Sequence, residues 1–193
     1  MIKKIFSLIL IILFNNLFSQ NSIDLKTATN KIYQANYLMD FETVASLSYP
    51  KIYEKQGKET FIEHVDLQYQ NEEYRVRLQL ETVPFQYGKV IKIEGKSFCV
   101  ITYRNPIRYF FETKLTNESA AEKKVWIQEI NNTKEVTFEP NRNSFNVRKT
   151  STFVAAMDDT TSKEWKFFNF DDVNQLEVFK SLFDQRVLKE LGL

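Results

Sequence analysis

Apolar side chains recur at helical spacing near the start of the chain, directly after a longer apolar run. Leu25, Ala28, Ile32, Ala35 and Met39 are separated by steps of three and four residues. That spacing places all five on one face of an amphipathic helix. The sequence therefore predicts a first helix from Leu25 to Met39.

Two further helices are predicted before residue 70. Asp40 breaks the phase of the first pattern and is a good N-cap for a short helix from Phe41 to Leu47. Pro50 then forces the preceding Tyr49 into an extended conformation. A third helix is predicted from Lys58 to about Tyr69.

The pattern changes to a period of two after residue 75. Val76, Leu78 and Leu80 alternate with charged or polar side chains, which is typical of a strand with one buried face. Ranges 89–94 and 97–104 flank a predicted hairpin turn at Gly95-Lys96. The second range is apolar on both faces, which favours a central strand.

The middle of the chain is harder to interpret. Asn105-Pro106 is predicted to interrupt the strand, which resumes at residues 107–115. Polar residues 116–124 predict a loop, and residues 125–130 predict another strand. Asn131-Asn132-Thr133 predicts a turn.

The last third predicts strands followed by one helix. The predicted strands cover residues 135–139, 144–157 and 164–170, with a polar turn over 158–163 between the last two. Asp171 or Asp172 can cap a closing helix that carries Leu176, Phe179, Phe183 and Val187. Helices that precede an antiparallel sheet predict the α+β class rather than a parallel βαβ fold.

The first nineteen residues predict where the protein is located. Lys3 and Lys4 precede a nearly unbroken apolar run of ten residues, from Ile5 to Phe14, and Ser19 is a small residue at a plausible cleavage point. This is the layout of a secretory signal peptide. We therefore expect a signal peptide at residues 1–19, one domain over residues 20–193, and export to the periplasm or the exterior. The apolar run is too short to cross a bilayer as a helix, and we expect no stable membrane insertion after cleavage.

Charge and cysteine content narrow the classes of partner and cofactor. Without the leader's two lysines, 24 basic side chains face 25 acidic ones, a net charge near −1. Such a balance argues against a nucleic-acid partner. Cys99 is the only cysteine and His64 the only histidine, so we expect no internal disulfide, no metal site and no cofactor. Cys99 lies in an apolar run and is expected to be a small core residue.

The order of predicted elements resembles the nuclear-transport-factor-2-like superfamily, also described as SnoaL-like or cystatin-like α+β cones. The resemblance covers most of residues 24–193, and residues 116–143 are longer and more polar than a minimal cone needs. Its cues are segments at turns and element starts, namely Asp40-Phe41-Glu42-Thr43, Tyr49-Pro50-Lys51-Ile52, Gly57-Lys58-Glu59, residues 153–159 and residues 162–167.

The resemblance implies a strongly curved antiparallel sheet wrapped around the N-terminal helices, with a closing C-terminal helix. The mouth of such a cone can hold a small apolar molecule. Some relatives are isomerases, cyclases or dehydratases, and many bind without catalysing. Fold alone does not choose among these functions.

Aromatic residues supply the candidate binding groups, since Phe, Tyr and Trp make up 15% of the chain. They predict either a core of aromatic bulk or an aromatic-lined pocket whose tyrosine hydroxyls orient an apolar ligand. The candidate ligand-binding residues are Tyr33, Tyr37, Tyr103, Tyr109, Phe111 and Trp165.

Two functional hypotheses follow. The first is an exported, non-catalytic module that binds a small apolar ligand or a protein partner. The second is a metal-independent isomerase or lyase in which Asp40 or His64 is the base and a tyrosine donates a hydrogen bond. His64 is also expected to be an ordinary boundary residue. A homodimer through the outer sheet face is a further alternative, because residues 97–104 are apolar on both faces.

Overall fold

The computed structural model describes residues 24–193, and the predicted signal peptide lies outside them. Helix α1 covers residues 24–38 of the described part, followed by α2 (Phe41–Leu47) and α3 (Lys58–Tyr69). Asp40 caps α2 by accepting a hydrogen bond from the Thr43 N–H, and Tyr49 is extended before Pro50. The three predicted N-terminal helices are therefore confirmed.

Two long antiparallel strands form the centre of the sheet. They are β4 (Lys96–Phe111) and β6 (Ser144–Met157), paired from Ser97 opposite Met157 to Phe110 opposite Ser144. The free edge of β4 carries β1 (Tyr74–Leu78), β2 (Phe85–Tyr87) and β3 (Ile91–Ile93). The free edge of β6 carries β5 (Val136–Glu139) and β7 (Lys166–Asn169). Within residues 24–193, these seven strands form one antiparallel sheet that does not close into a barrel.

The predicted break at Asn105-Pro106 is wrong, because β4 passes through both residues. Pro106 is tolerated because its missing N–H faces β1 just where that strand ends. Its carbonyl oxygen points to the same side and accepts the Gln79 N–H at 2.9 Å. A proline inside a sheet costs little where no ladder partner needs its hydrogen.

Residues 117–130 form a helix, so the predicted loop over 116–124 and the predicted strand over 125–130 are wrong. Helix α4 (Asn117–Ile130) begins at a capping box in which Thr116 and Ser119 exchange side-chain and backbone hydrogen bonds. Ala120 and Ile127, two turns apart, are its buried residues, and its remaining polar side chains lie on the outer face. A narrow apolar stripe is enough to pack α4 onto the sheet, because only one side of the helix contacts the sheet.

Three smaller boundaries differ from the sequence prediction. The hairpin before β4 turns at Glu94-Gly95, both with positive φ, rather than at Gly95-Lys96. The strand predicted to reach Leu80 ends at Leu78, which leaves Leu80 exposed. The closing helix is two helices, α5 (Val173–Leu182) and α6 (Gln185–Leu191). Phe183 adopts an extended conformation between them, and Asp184 caps the second.

Different helices pack on the two faces of β4 and β6. Successive side chains of a strand point to opposite faces, so odd-numbered and even-numbered residues meet different helices. The face with odd-numbered residues packs against α1 at one end, through Cys99 and Ile101, and against α4 at the other, through Tyr109 and Phe145. On the even-numbered face, Phe98 packs edge-on against Phe179 and Phe183, which lie in and just after α5. The two ends of the odd face thus belong to different clusters, and the surface between them is where a pocket forms.

The outer-face residues that motivated the dimer alternative are partly covered within the chain itself. Phe98 is fully buried, and Val100 packs as a partly buried residue on the same cluster as the C-terminal helices. The apolar pattern of residues 97–104 is therefore explained by two-sided packing of a central strand. The homodimer stays a prediction that rests on the resemblance alone.

Candidate functional site

A pocket of about 260 Å³ lies on the odd face between the α1 end and the α4 end. Its walls are largely aromatic and aliphatic side chains from three strands. These are Tyr74 and Val76 of β1, Tyr103, Ile107 and Tyr109 of β4, and Phe153 of β6. Gln68 of α3 and Ile130 at the end of α4 also line it and are exposed, so they form its rim.

One side of the pocket is polar, in contrast to these walls. Asn105 of β4 donates from Nδ2 to Ser151 Oγ of β6 at 2.9 Å, and Ser151 donates to Asp171 Oδ2 at 2.6 Å. Lys149 Nζ lies 2.7 Å from the same carboxylate oxygen. We call these four residues the polar chain. Asn105, Lys149 and Asp171 line the pocket directly.

The direction of these hydrogen bonds fixes the orientation of the Asn105 amide. A carboxylate only accepts, so the single Ser151 proton is used on Asp171 and Ser151 Oγ must accept from its other neighbour. Asn105 therefore turns its Nδ2 toward Ser151 and leaves Oδ1 pointing elsewhere. That oxygen is buried and has no hydrogen-bond partner among the described residues.

Three tyrosine hydroxyls meet near the polar chain and stay protonated at neutral pH. Burial raises the pKa of Tyr103 well above its usual value, and the nearby Asp171 raises it further. Burial likewise raises the pKa of Tyr109 to about 12, and it raises the pKa of Tyr69 in the same direction. Tyr69 donates to Asn36 Oδ1 at 3.0 Å, and the Tyr109 hydroxyl accepts from Asn131 Nδ2 at 3.0 Å. The hydroxyls of Tyr69 and Tyr109 are therefore held in place by partners within the protein.

The structure brings two of the six predicted ligand-binding residues, Tyr103 and Tyr109, together in this pocket. Tyr33 is buried in the apolar cluster that α1 forms with Cys99 and Ile101, which we call the α1 cluster. Its hydroxyl donates to the Leu80 carbonyl at 2.8 Å. Phe111 packs edge-on against Phe145 in the α4 cluster.

The other two aromatic candidates also lie away from the pocket. Tyr37 is half-buried on α1 and is not among the pocket-lining residues. Trp165 is buried in the α1 cluster and borders a separate surface groove beside Leu47 and Met157.

The two candidate bases also lie outside the pocket. Asp40 is exposed, and hydrogen bonds from Thr43 lower the pKa of its carboxyl, as expected for a helix cap. His64 Nε2 lies 3.0 Å from Gln68 Nε2 and 3.2 Å from Asn174 Nδ2.

Sequence reasoning missed the polar chain. Asn105 was interpreted as a strand break and Asp171 as a helix cap, while Lys149 and Ser151 lay unremarked in a correctly predicted strand. The available signal was the alternation along the strands, because Asn105, Lys149 and Ser151 each have an apolar, buried neighbour two residues away. A polar side chain at such a position needs a buried partner.

Cys99 is buried, as predicted, and burial raises the pKa of its thiol to about 11. A thiol of that kind is a packing residue rather than a nucleophile. Across residues 24–193, no group of three or more His, Cys, Asp or Glu side chains is arranged to hold a metal ion. No helix of the same segment combines the length and apolar character needed to cross a membrane.

Comparison of the chain with family models, with curated proteins and with solved structures gives no match. The resemblance to the nuclear-transport-factor-2-like superfamily therefore stays a prediction. The function has to be inferred from the pocket.

Proposed function

We propose that this protein binds a small, largely apolar, ring-bearing molecule in the pocket between α1 and α4 without transforming it. The observation that carries the proposal is the aromatic wall formed by Tyr74, Tyr103, Tyr109 and Phe153 around an open space. Ligand sites in proteins are concave, mostly apolar and lined by a few placed polar groups. This pocket is concave and combines that aromatic wall with a polar side of about equal extent.

The size of the pocket limits the ligand. A volume of 260 Å³ is slightly below the lower end of ordinary ligand pockets, about 300 Å³. A single substituted ring fits this space.

Export and the cone-like shape belong to the same proposal. Helices α1 to α3 precede the sheet, as the resemblance implies, and the pocket lies on the sheet face that α1 covers in part. We infer an exported carrier or sensor of small molecules in which the N-terminal helices and the sheet together form a cone.

The enzymatic alternative, a metal-independent isomerase or lyase, has weaker support. Asp40 and His64 do not line the pocket. Asp171 does, but its Oδ2 already receives hydrogen bonds from Ser151 and Lys149. An ion-paired carboxylate of this kind suits orienting neighbours better than removing a proton from a bound molecule.

The experiment is saturation-transfer NMR with 4-methylanisole, a single ring without a hydrogen-bond donor. Leu78 lines the pocket, so Leu78→Trp fills it, while Leu80→Trp makes the same change two residues away at an exposed position outside it. We expect a binding signal with the wild type and Leu80→Trp and its loss with Leu78→Trp. Equal signals from both variants would place binding elsewhere and overturn the proposal.

A second pair of variants guards against misfolding. Ile130 lines the rim and Val125 of the same helix does not, and both are about half exposed. Ile130→Trp should weaken binding of 4-methylanisole and Val125→Trp should not. Circular dichroism of each variant confirms that the fold is kept.

A further inference from the structure

We propose that the ligand of this pocket is a ring-bearing amine that binds as its ammonium ion. This inference rests on the proposed function and adds the chemical class of the ligand. The charged side chains that line the pocket belong to one lysine, Lys149, and two aspartates, Asp171 and Asp172. The pocket therefore carries one more negative than positive charge beside its aromatic wall. A cation that bears a ring matches both features.

Asp172 supplies the excess negative charge, because Lys149 pairs with Asp171 instead. Asp172 is only 5% exposed. Its Oδ1 accepts from the Asn174 N–H at 2.9 Å, and its Oδ2 accepts from Gln175 Nε2 at 3.2 Å and from Gln68 Nε2 at 3.3 Å. These uncharged donors stabilise the carboxylate but leave its net charge in place. Since a buried charge is screened much less than an exposed one, Asp172 attracts a cation into the pocket even without touching it.

Asp171 supplies a carboxylate oxygen that a bound ammonium can contact. Its Oδ2 accepts from Ser151 and lies 2.7 Å from Lys149 Nζ, whereas its Oδ1 accepts no hydrogen bond from residues 24–193. The side chain of Asp171 is 23% exposed, so a molecule in the pocket can reach it. Its charge also acts inside the pocket. Burial is the larger cause of the raised pKa of Tyr69, Tyr103 and Tyr109, and the negative charge of Asp171 raises the pKa of each further.

The aromatic wall adds to the preference for a cation, because the face of an aromatic ring attracts a positive charge within about 6 Å. An anionic ligand would meet both aspartates, and a neutral ligand would leave the excess negative charge without a counter-ion. Lys149 opposes a ligand cation, but it is one lysine against two carboxylates. The charges and the wall therefore favour a ring-bearing ammonium ion together.

The test compares three probes that share the 4-methylphenyl ring and differ in charge. They are 4-methylbenzylamine, which is an ammonium ion at pH 7, 4-methylbenzyl alcohol, which is neutral, and 4-methylbenzoate, which is an anion. Titrations followed by NMR give the dissociation constant of each. We expect the amine to bind about tenfold more tightly than the alcohol, because a charge-assisted hydrogen bond is roughly twice as strong as a neutral one. We expect 4-methylbenzoate to bind most weakly. Added sodium chloride should weaken binding of the amine and leave that of the alcohol unchanged.

Asp171→Asn assigns the preference to this carboxylate, because it removes the charge and keeps the shape. The new amide oxygen can accept from Ser151 and Lys149 in the place of Oδ2, which puts the NH₂ group at the open position. That group repels an ammonium ion, so the amine should bind no more tightly than the alcohol. Asp159→Asn is the matched control. It removes the same charge from an exposed turn outside the pocket and should keep the preference.

Lys149→Gln changes the same charge balance in the opposite direction. It leaves the two aspartates without a lysine, so the preference for the amine over the alcohol should rise. We expect a rise of about fivefold, the effect of removing one like charge at about 4 Å in watery surroundings. Misfolding would weaken the binding of both probes and would not produce this gain. Circular dichroism confirms that each variant keeps the fold.

The outcomes separate this inference from the proposed function. If the amine and the alcohol bind the wild type equally well, or if 4-methylbenzoate binds most tightly, the inference is wrong while the proposed function stands. A preference for the amine that survives Asp171→Asn, that Asp159→Asn also removes or that Lys149→Gln lowers overturns the inference as well. If neither 4-methylanisole nor any of the three probes binds, the proposed function fails and the inference fails with it.

Discussion

Alanine substitution of two buried serines on the same strand is expected to change the stability of the protein by different amounts. Ser151 and Ser144 both lie on β6 and are both fully buried. Ser151 Oγ accepts from Asn105 and donates to Asp171, whereas Ser144 Oγ has no partner in the described part of the chain. Replacing each by alanine removes the same atom from an equally buried position.

The expected change in the free energy of unfolding depends on which buried groups lose a hydrogen-bond partner when each hydroxyl is removed. Ser151→Ala leaves the buried Asn105 Nδ2 without an acceptor, which costs roughly 1–3 kcal/mol, and removes a hydrogen bond to a carboxylate. Asp171 recovers part of that loss because its side chain is 23% exposed and keeps Lys149. We expect a net destabilisation of about 2–3 kcal/mol. Ser144→Ala removes a hydroxyl that makes no hydrogen bond, so its stability should lie within about 0.5 kcal/mol of the wild type or above it.

The assay is urea unfolding followed by tryptophan fluorescence, with thermal unfolding as a second measure. For a chain of this length, 1 kcal/mol corresponds to about 2–4 °C in Tm, so the two variants should differ by about 5–10 °C. Equal destabilisation by both substitutions would refute the reasoning, because it would mean that the Asn105–Ser151–Asp171 hydrogen bonds contribute nothing beyond packing.

Three further predictions concern the rest of the molecule. Because burial raises the pKa of Cys99 to about 11, a thiol reagent at pH 8 should label it only after unfolding in urea, and rapid labelling of the folded protein would contradict its buried position. Thr116→Ala removes the cap of α4 and should cost about 1 kcal/mol in urea unfolding, and an unchanged midpoint would show that the capping box is not formed. Burial raises the pKa of Tyr33, Tyr49 and Tyr109 to about 12, so the folded state should lose stability between pH 10 and pH 12, where the unfolded chain already ionises. Absorbance titration that shows all nine tyrosines ionising near pH 10 in the folded protein would contradict this.

Much of the fold could be predicted from local patterns, because each pattern identifies the side of a helix or strand that packs against the core. The stripe from Leu25 to Met39 and the cap at Asp40 gave α1 and α2 correctly, and strand β6 was predicted with its observed bounds. Helix α4 was missed for a physical reason. Only Ala120 and Ile127 of its fourteen residues are buried, so its apolar signal is weak and its polar surface resembles a loop.

The break predicted at Pro106 shows a second limit. A proline disrupts a strand only if a neighbour needs its N–H, and that depends on where β1 ends, which no local pattern encodes. The polar chain is similar, since it joins residues on β4, on β6 and after β7. Their contact is set by the register of β4 against β6, in which Asn105 lies opposite Lys149. The sequence shows where the tyrosines lie along the chain, but it does not show which of them meet at one pocket.

A chemical-shift map of the amide resonances during titration of the wild-type protein with p-cresol tests the central claim most directly. We expect the largest shifts at residues 103–109 of β4, 149–153 of β6 and the end of α3, which surround the pocket. Shifts concentrated instead on the opposite sheet face around Arg108 and Arg148, or shifts spread evenly over the surface, would contradict the assignment of this pocket as the binding site.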